Sequence, residues 1–298
     1  MRVAAWQYPI ERLASWDAWR AKLAAGIAEA AERGAELCVV PEYASMELTS
    51  LLPPEVQGDL AAQLGALQPL LPGYVEAYAE LARRHRLTIV AGSFPEARPG
   101  GAYRNRLRVH GPAGGAVEVE KLQMTRFERE RWGVQAGAGQ TVIEIGRARL
   151  GVAICYDAEF PLVVRRLAAA GAQVIAVPSC TDALAGYHRV RIACAARALE
   201  NQCYVVQAPT VGLAPWSIAV DENVGAAGVF APADRGFPDD GVIALGALDA
   251  PGWLVAELDL DALEHVRRDG QVLGHRDWER AEHLAGDVTH TTLAPATW

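Results

Sequence analysis

Helix-forming and strand-forming stretches take turns along most of this chain, and that alternation restricts its fold more than any other feature. "RVAAWQ" reads as a strand, and Ser15 then caps an amphipathic helix through "WDAWRAKLAAGIAEAAERG", which Gly34 stops. "AELCVVPEY" is a short apolar strand of the kind buried on both faces. Helical stretches "PPEVQGDLAAQLGAL" and "YVEAYAELARRHR" lead to a strand at "LTIVAGSF". Helix "PLVVRRLAAAG", strand "AQVIAVPS", helix "YHRVRIACAARALEN" and strand "CYVVQAP" repeat the pattern. Such an order predicts a layered α/β fold. Two hairpins, turned at "GPAGG" and at "GR", exclude a purely parallel sheet. Strands at "GAAGVFAP", "GVIALGAL" and "WLVAELDL" follow, then a polar stretch. The expectation is a single domain over residues 1–298, with a core from about 3 to 260 and a C-terminal tail from about 262.

Composition narrows the partners. The formal charge of -8, with no block of lysine or arginine, argues against nucleic acid or an anionic membrane surface. No apolar run approaches the ~20 residues needed to span a bilayer. "MRVAAWQYPI" has no secretory-signal pattern. Five irregularly spaced cysteines form neither a disulfide framework nor a CxxC pair, so reduced thiols and a cytoplasmic location are expected. No histidine cluster has metal-ligand spacing, and "GPAGG" is a turn without the GK[ST] of a phosphate loop; no metal and no cofactor are expected.

Three apolar strands end in one reactive side chain each: "LCVVPE" in Glu42, "AVEVEK" in Lys121 and "LGVAIC" in Cys155. Sites collect where strands of layered α/β proteins end, because side chains leave the core there while the backbone stays rigid. A thiol of ordinary pKa is only a few per cent thiolate at neutral pH and needs an adjacent base. A carboxylate can take its proton, and an ammonium can donate to a developing oxyanion. Glutamate, lysine and cysteine thus cover base, electrophile and nucleophile without a histidine.

"VVPE", "EKLQMTRFE" and "GVAICYDAEFP" resemble the three catalytic motifs of the nitrilase, or carbon–nitrogen hydrolase, superfamily. "YRNRL" and "ARALENQCYVV" resemble its flanking segments. The resemblance covers roughly residues 3 to 260 and implies a four-layer αββα sandwich that pairs through its helices as a homodimer. It implies Glu42 as general base, Lys121 as oxyanion donor, Cys155 as nucleophile and the Tyr156 backbone N–H as second oxyanion donor. Glu128 matches the second glutamate of amidase relatives, with Glu130 as the competing choice. Gln123 stands where many relatives have histidine, and Ala158-Glu159 departs from their usual arginine. Tyr156-Asp157 replaces the Trp-Glu common in true nitrilases, which favours an amidase.

The first expectation is therefore hydrolysis of a small amide through a cysteine thioester. Nitrile hydrolysis, a non-catalytic binding protein of the same fold, and a Cys-His thiol enzyme with His188 as base are the rivals. Cysteine in an apolar strand is usually a small hydrophobe, which is the reading for Cys38, Cys194 and Cys203. Cys180, at another strand end, is structural or lines the pocket. The Tyr156-Asp157 pair braces the turn after the nucleophile through local hydrogen bonds. "CTDALAGYHRVRI" is placed at the mouth of the site, with Arg189, Tyr187 and His188 as substrate-binding candidates and Trp132 and Trp216 in nearby loops. Arg189 is the candidate for a carboxylated substrate. The tail after Gly270 is expected to brace a partner subunit.

Overall fold

The computed structural model describes residues 1–292. One sheet contains β1 (Arg2–Pro9), β2 (Leu37–Val39), β3 (Thr88–Val90), β4 (Phe94–Ala97), β5 (Tyr103–His110), β6 (Ala116–Glu120) and β7 (Val134–Gln135). The other contains β8 (Ile143–Ile145), β9 (Ala148–Val152), β10 (Val174–Ser179), β11 (Tyr204–Leu213), β12 (Glu222–Asn223), β13 (Gly228–Phe230) and β14 (Val242–Leu245). β15 (Gly252–Glu257) returns to the first sheet and lies antiparallel to β1. The sheets join where the end of β1 pairs with β11, Tyr8 opposite Thr210 and Pro9 opposite Val211.

Strand periodicity explains the layers. Val3 and Ala5 of β1, with Leu37, Val39 and Val90, face the second sheet and share one core with Leu150, Val174 and Val206. Ala4, Trp6 and Tyr8, one residue out of phase, face helices α1 (Trp16–Glu32) and α4 (Leu71–His85). Helices α5 (Pro161–Ala169) and α6 (Leu184–Asn201) cover the second sheet from outside. The order is helix, sheet, sheet, helix, the αββα sandwich that the resemblance implies.

Local chemistry sets several boundaries. The Ser15 hydroxyl accepts from the Ala18 N–H at 3.1 Å, a cap of about 1 kcal/mol. Gly26 of α1 lies under Trp6: a Cβ there would come within 2.1 Å of the indole, so the glycine lets helix and sheet close. The stretch expected as one helix over "PPEVQGDLAAQLGAL" is two, Pro54–Gln57 (α2) and Leu60–Leu67 (α3), because Gly58 interrupts it and Asp59 caps the second. "LTIVAGSF" likewise divides between β3 and β4.

The tail expected from about 262 is corrected in its first part. Helix α7 (Leu260–Asp269) belongs to the core: Asp259 caps it, and Leu263 and Val266 are fully buried. Helix α8 (Gly274–Ala285) follows and is tied to its own chain. The Arg165 guanidinium lies 5.1 Å from the Trp278 ring and donates to the His275 carbonyl at 3.1 Å, while the His275 N–H donates to Gln202. Residues 293–298 of the expected tail lie outside the described residues. Among the described residues, no helix is long and apolar enough to cross a membrane.

Candidate active site

Strand direction brings the three reactive side chains to one edge. β6 is antiparallel to β5, which is antiparallel to β3, and β3 is parallel to β2. β6 and β2 therefore end on the same side. In the second sheet β9, β10 and β11 are parallel, and β11 is parallel to β1. Glu42, Lys121, Cys155 and Cys180, each just past its strand, line one cavity of about 520 Å³.

Two of these turns hold a non-glycine residue in the left-handed region, Tyr43 at φ 54° and Cys155 at φ 50°. Arg86 and Gln202, which share this conformation, are helix C-caps, where it is routine. At Tyr43 and Cys155 it is the chain's sharp exit from a strand toward the cavity. Such strain is of order 1–3 kcal/mol per residue and persists only where the surroundings enforce it. Arg197 of α6 helps to do so, donating to the Ala158 carbonyl at 3.1 Å while Glu200 accepts both its Nε–H and its Nη2–H.

The Lys121 ammonium sits between two carboxylates, 2.8 Å from Glu42 Oε1 and 2.6 Å from Glu128 Oε2. All three side chains are buried. Burial alone would lower the lysine pKa, but Glu128 and Glu42 outweigh it and hold the ammonium charged. The two glutamates differ in how fully they are met. Glu128 Oε2 accepts from Lys121 and from both the N–H and the hydroxyl of Thr125, each at 2.9 Å, and its Oε1 accepts from the Tyr43 hydroxyl at 2.8 Å. Burial opposes its charge, yet these donors hold it below the usual carboxylate range. Glu42 has Lys121 and the Asn105 amide, at 2.8 Å, and both reach the same oxygen, Oε1. Burial pushes Glu42 up, Lys121 offsets part of this, and the Glu128 charge adds to it, leaving a pKa of about 7.

The Cys155 thiol is pushed well above its ordinary value, first by burial and then by the Glu42 carboxylate with which it interacts directly. Its sulfur lies 3.8 Å from the Cys180 carbonyl. The resting site is thus a neutral thiol beside a carboxylate poised near neutrality, with a fixed positive charge at hand.

Of the residues singled out in the sequence, Glu42, Lys121, Glu128, Cys155, Tyr156, Trp132 and Arg189 line this cavity. Glu130 does not; it is exposed and pairs with Arg126 and Arg129. Tyr187 is buried beside the mouth and His188 is exposed next to it, and neither lines the cavity, so His188 is not placed to be a base for Cys155. Trp132 packs against Tyr43 with ring centroids 4.8 Å apart and planes inclined by 50°, whereas Trp216 lies under Arg12 and does not line the cavity. Arg189 reaches the rim and pairs with Glu159 at 3.5 Å. Tyr43, Asn105 and Thr125 also belong to this network, though the motifs alone do not single them out. Asn105 had a signal, since it lies in the "YRNRL" strand that precedes the lysine; Tyr43 and Thr125 were simply neighbours of the motif glutamate and lysine.

The four-layer sandwich thus gathers a buried glutamate, lysine and cysteine at the ends of its strands. A model of the carbon-nitrogen hydrolase family matches residues 2–268, and the chain belongs to that family. Probable hydrolase YhcX of Bacillus subtilis is 30% identical over 281 residues, covering 94% of this chain and 54% of that protein. The chain therefore spans about half the length of that relative. An (R)-stereoselective amidase of Pseudomonas sp. is 31% identical over 231 residues, covering 76% of this chain and 78% of the amidase. Among solved structures, an amidase of the nitrilase superfamily from Nesterenkonia AN1 superposes with a TM-score of 0.65 at 25% identity, covering 93% of this chain and 97% of that one.

Proposed function

We propose that this protein hydrolyses the C–N bond of a small amide through a thioester on Cys155. The unequal satisfaction of the two glutamates carries the reading. Glu128 is saturated with donors and stays an anion that fixes Lys121, whereas Glu42, with both of its donors on Oε1, has Oε2 left to exchange a proton with the thiol.

In the first half-reaction the Cys155 sulfur attacks the amide carbon while its proton passes to Glu42. The carbonyl oxygen becomes an oxyanion that accepts from Lys121 Nζ and the Tyr156 N–H. The oxyanion collapses, the C–N bond breaks, and Glu42 returns the proton to the departing nitrogen, so ammonia or an amine leaves. A water then gives its proton to Glu42 and attacks the thioester, and collapse releases the acid while the sulfur regains the proton. A nitrile would instead form a thioimidate; the amidases among the relatives favour the amide.

The rim bears on the substrate's far end. Glu159, Asp182, Asp221 and Glu222 stand there against Arg126 and Arg189. This balance favours amides with a neutral or ammonium-bearing far end, and restricts carboxylate recognition by Arg189 to a substrate that displaces Glu159. The proposed assembly is a cytoplasmic homodimer built on α5 and α6, whose exposed Leu162, Leu184, Ile192 and Leu199 form an outer apolar face.

Intact-mass analysis after incubation with a mixed library of amides and nitriles tests the chemistry. An acyl adduct on Cys155 from an amide is expected. An adduct formed only with nitriles, or none on Cys155, overturns the amidase reading.

A further inference from the structure

Lys121 and Cys155 come from different sheets, and no ladder joins β6 to β9. Something other than backbone pairing must therefore set the distance between ammonium and thiol. One carboxylate touches both loops. Asp157 Oδ1 accepts from the N–H groups of Leu122 at 3.1 Å and Gln123 at 2.7 Å, and its Oδ2 accepts from Leu122 and from Ile154, each at 3.2 Å. Leu122 and Gln123 directly follow the lysine, and Ile154 directly precedes the cysteine.

We propose that Asp157 is a positioning residue that clamps the lysine loop to the nucleophile loop and so sets the geometry between Lys121 and Cys155. The inference rests on the reading of those two residues as the reacting groups. Asp157 is buried and does not line the cavity, so it acts through its neighbours and not on substrate. Bracing of its own turn requires only the bond to Ile154; the bonds to Leu122 and Gln123 reach across 35 and 34 residues of chain. Burial pushes the Asp157 carboxyl up to about 6, against the pull of Lys121 and the backbone donors, so at neutral pH it is ionised and every lone pair it offers can accept. It also adds a third negative charge to the surroundings of Lys121.

Asparagine is the discriminating substitution. Its single oxygen can hold Leu122 and Gln123, but its amide N–H would then face the Ile154 N–H, donor against donor, and the two loops part. A displacement of about 1 Å between reacting groups is enough to cost ~10²-fold in rate.

The test compares kcat, KM and thermal melting of wild type, Asp157→Asn, Asp157→Glu and Cys155→Ala on one primary amide that the wild type turns over. Asp157→Asn is expected to melt as a folded protein, with kcat lower by about 10²-fold and KM changed by less than about threefold. Asp157→Glu keeps both oxygens on a longer arm and should recover part of the loss. Asp157→Asn with kcat within about twofold of wild type would overturn the proposal. So would failure of both Asp157 variants to fold, which would make the residue a requirement of folding alone. An active Cys155→Ala protein would instead strike at the proposed function, so the two failures are told apart.

Discussion

Two lysines in this protein meet buried glutamates, and one of them, Lys121, lines the cavity of the proposed site. Lys22 pairs with Glu47 and Glu11, and Glu47 is as buried as Glu42. Glu47 also accepts from the Tyr8 hydroxyl and, at 2.7 Å, from the Glu11 N–H, so both of its oxygens are occupied. The Lys22 ammonium lies 4.3 Å from the centre of the Tyr8 ring. This cluster joins β1, α1 and the turn at Ala44–Leu51, and it lines no part of the active-site cavity. Around Lys121 the same residue types open onto the cavity, a thiol stands beside one carboxylate, and Lys121 and Asn105 both reach that carboxylate at the same oxygen, Oε1. Burial and ion pairing are common to both clusters. In the proposed mechanism, access, a nucleophile and a base beside it are what separate chemistry from cross-linking.

The strongest way to break this contrast is to remove the nucleophile. Cys155→Ala should lower turnover by about 10⁴-fold or more, since removal of an attacking residue leaves only binding and oxyanion stabilisation. Alanine at Cys38, Cys180, Cys194 or Cys203 should leave kcat near wild type and alter only the melting temperature. Steady-state kinetics on a purified panel decides it, and an active Cys155→Ala enzyme would place the two clusters in the same structural category.

The Glu42 carboxylate comes next. Glu42→Gln removes the base and should cost about 10²–10⁴-fold in kcat. In the wild type, the Glu42 pKa of about 7 should appear as the acidic limb of kcat/KM, with activity falling about tenfold per pH unit below it. The sign for stability is opposite. The native pKa lies above the unfolded value of 4.5, so Glu42 contributes stability fully below pH 4.5 and loses it as pH rises through about 7. The enzyme is then most active where this residue supports the fold least. A pH–rate profile flat from 5 to 8 would refute the assignment of the base.

Charge alone does not define the site if the ammonium must be compact. Lys121→Arg keeps the charge, yet a planar guanidinium cannot occupy the small space between Glu42 and Glu128. A loss of about 10²–10³-fold in kcat is expected, the usual cost of an oxyanion donor. By contrast, Glu47→Gln should leave kcat unchanged and destabilise the fold by about 2 kcal/mol. That is less than the ~3–5 kcal/mol of a fully buried pair, because Lys22 keeps Glu11 and some solvent. Chemical denaturation beside activity assays separates these outcomes.

Much of this contrast was legible before any coordinates. Glu42, Lys121 and Cys155 announce themselves because each ends an apolar strand, and strand direction then brings the ends together. Glu47 gives no such signal, since its burial depends on Tyr8 and Lys22 from other elements. Asn105 and Tyr43 lie within or beside quoted motifs, but their roles require knowing which way a side chain points. Arg189 lines the cavity, and its pairing with Glu159 is invisible in the sequence because it is a contact between α6 and the turn that carries Cys155. Helix α7 was missed for a different reason. Asp259 is a good N-cap, and Leu260, Leu263 and Val266 share a helical face, but "WLVAELDL" reads on as a strand and hides the start.

The smallest expected effect tests the contrast at its finest scale, between glutamates two positions apart. Glu128 and Glu130 share the turn over Phe127–Trp132, which is wound as a short π-helix. Positions two apart on any such helical turn face nearly opposite sides. Glu128 therefore points inward to Lys121, and Glu130 points into solvent, where Arg126 meets it at 3.0 Å. That pair is on the surface, so water screens it. Glu130→Gln should leave kcat, KM and the position of the acidic limb unchanged, with a melting temperature within about a degree of wild type. Glu128→Gln measured alongside should lower kcat and shift the acidic limb downward, because the negative charge that helps to raise the Glu42 pKa is gone. If Glu130→Gln moved the pH–rate profile as well, the electrostatics of the site would extend to its solvated surface, and the sharp boundary between the two kinds of carboxylate would have to be redrawn.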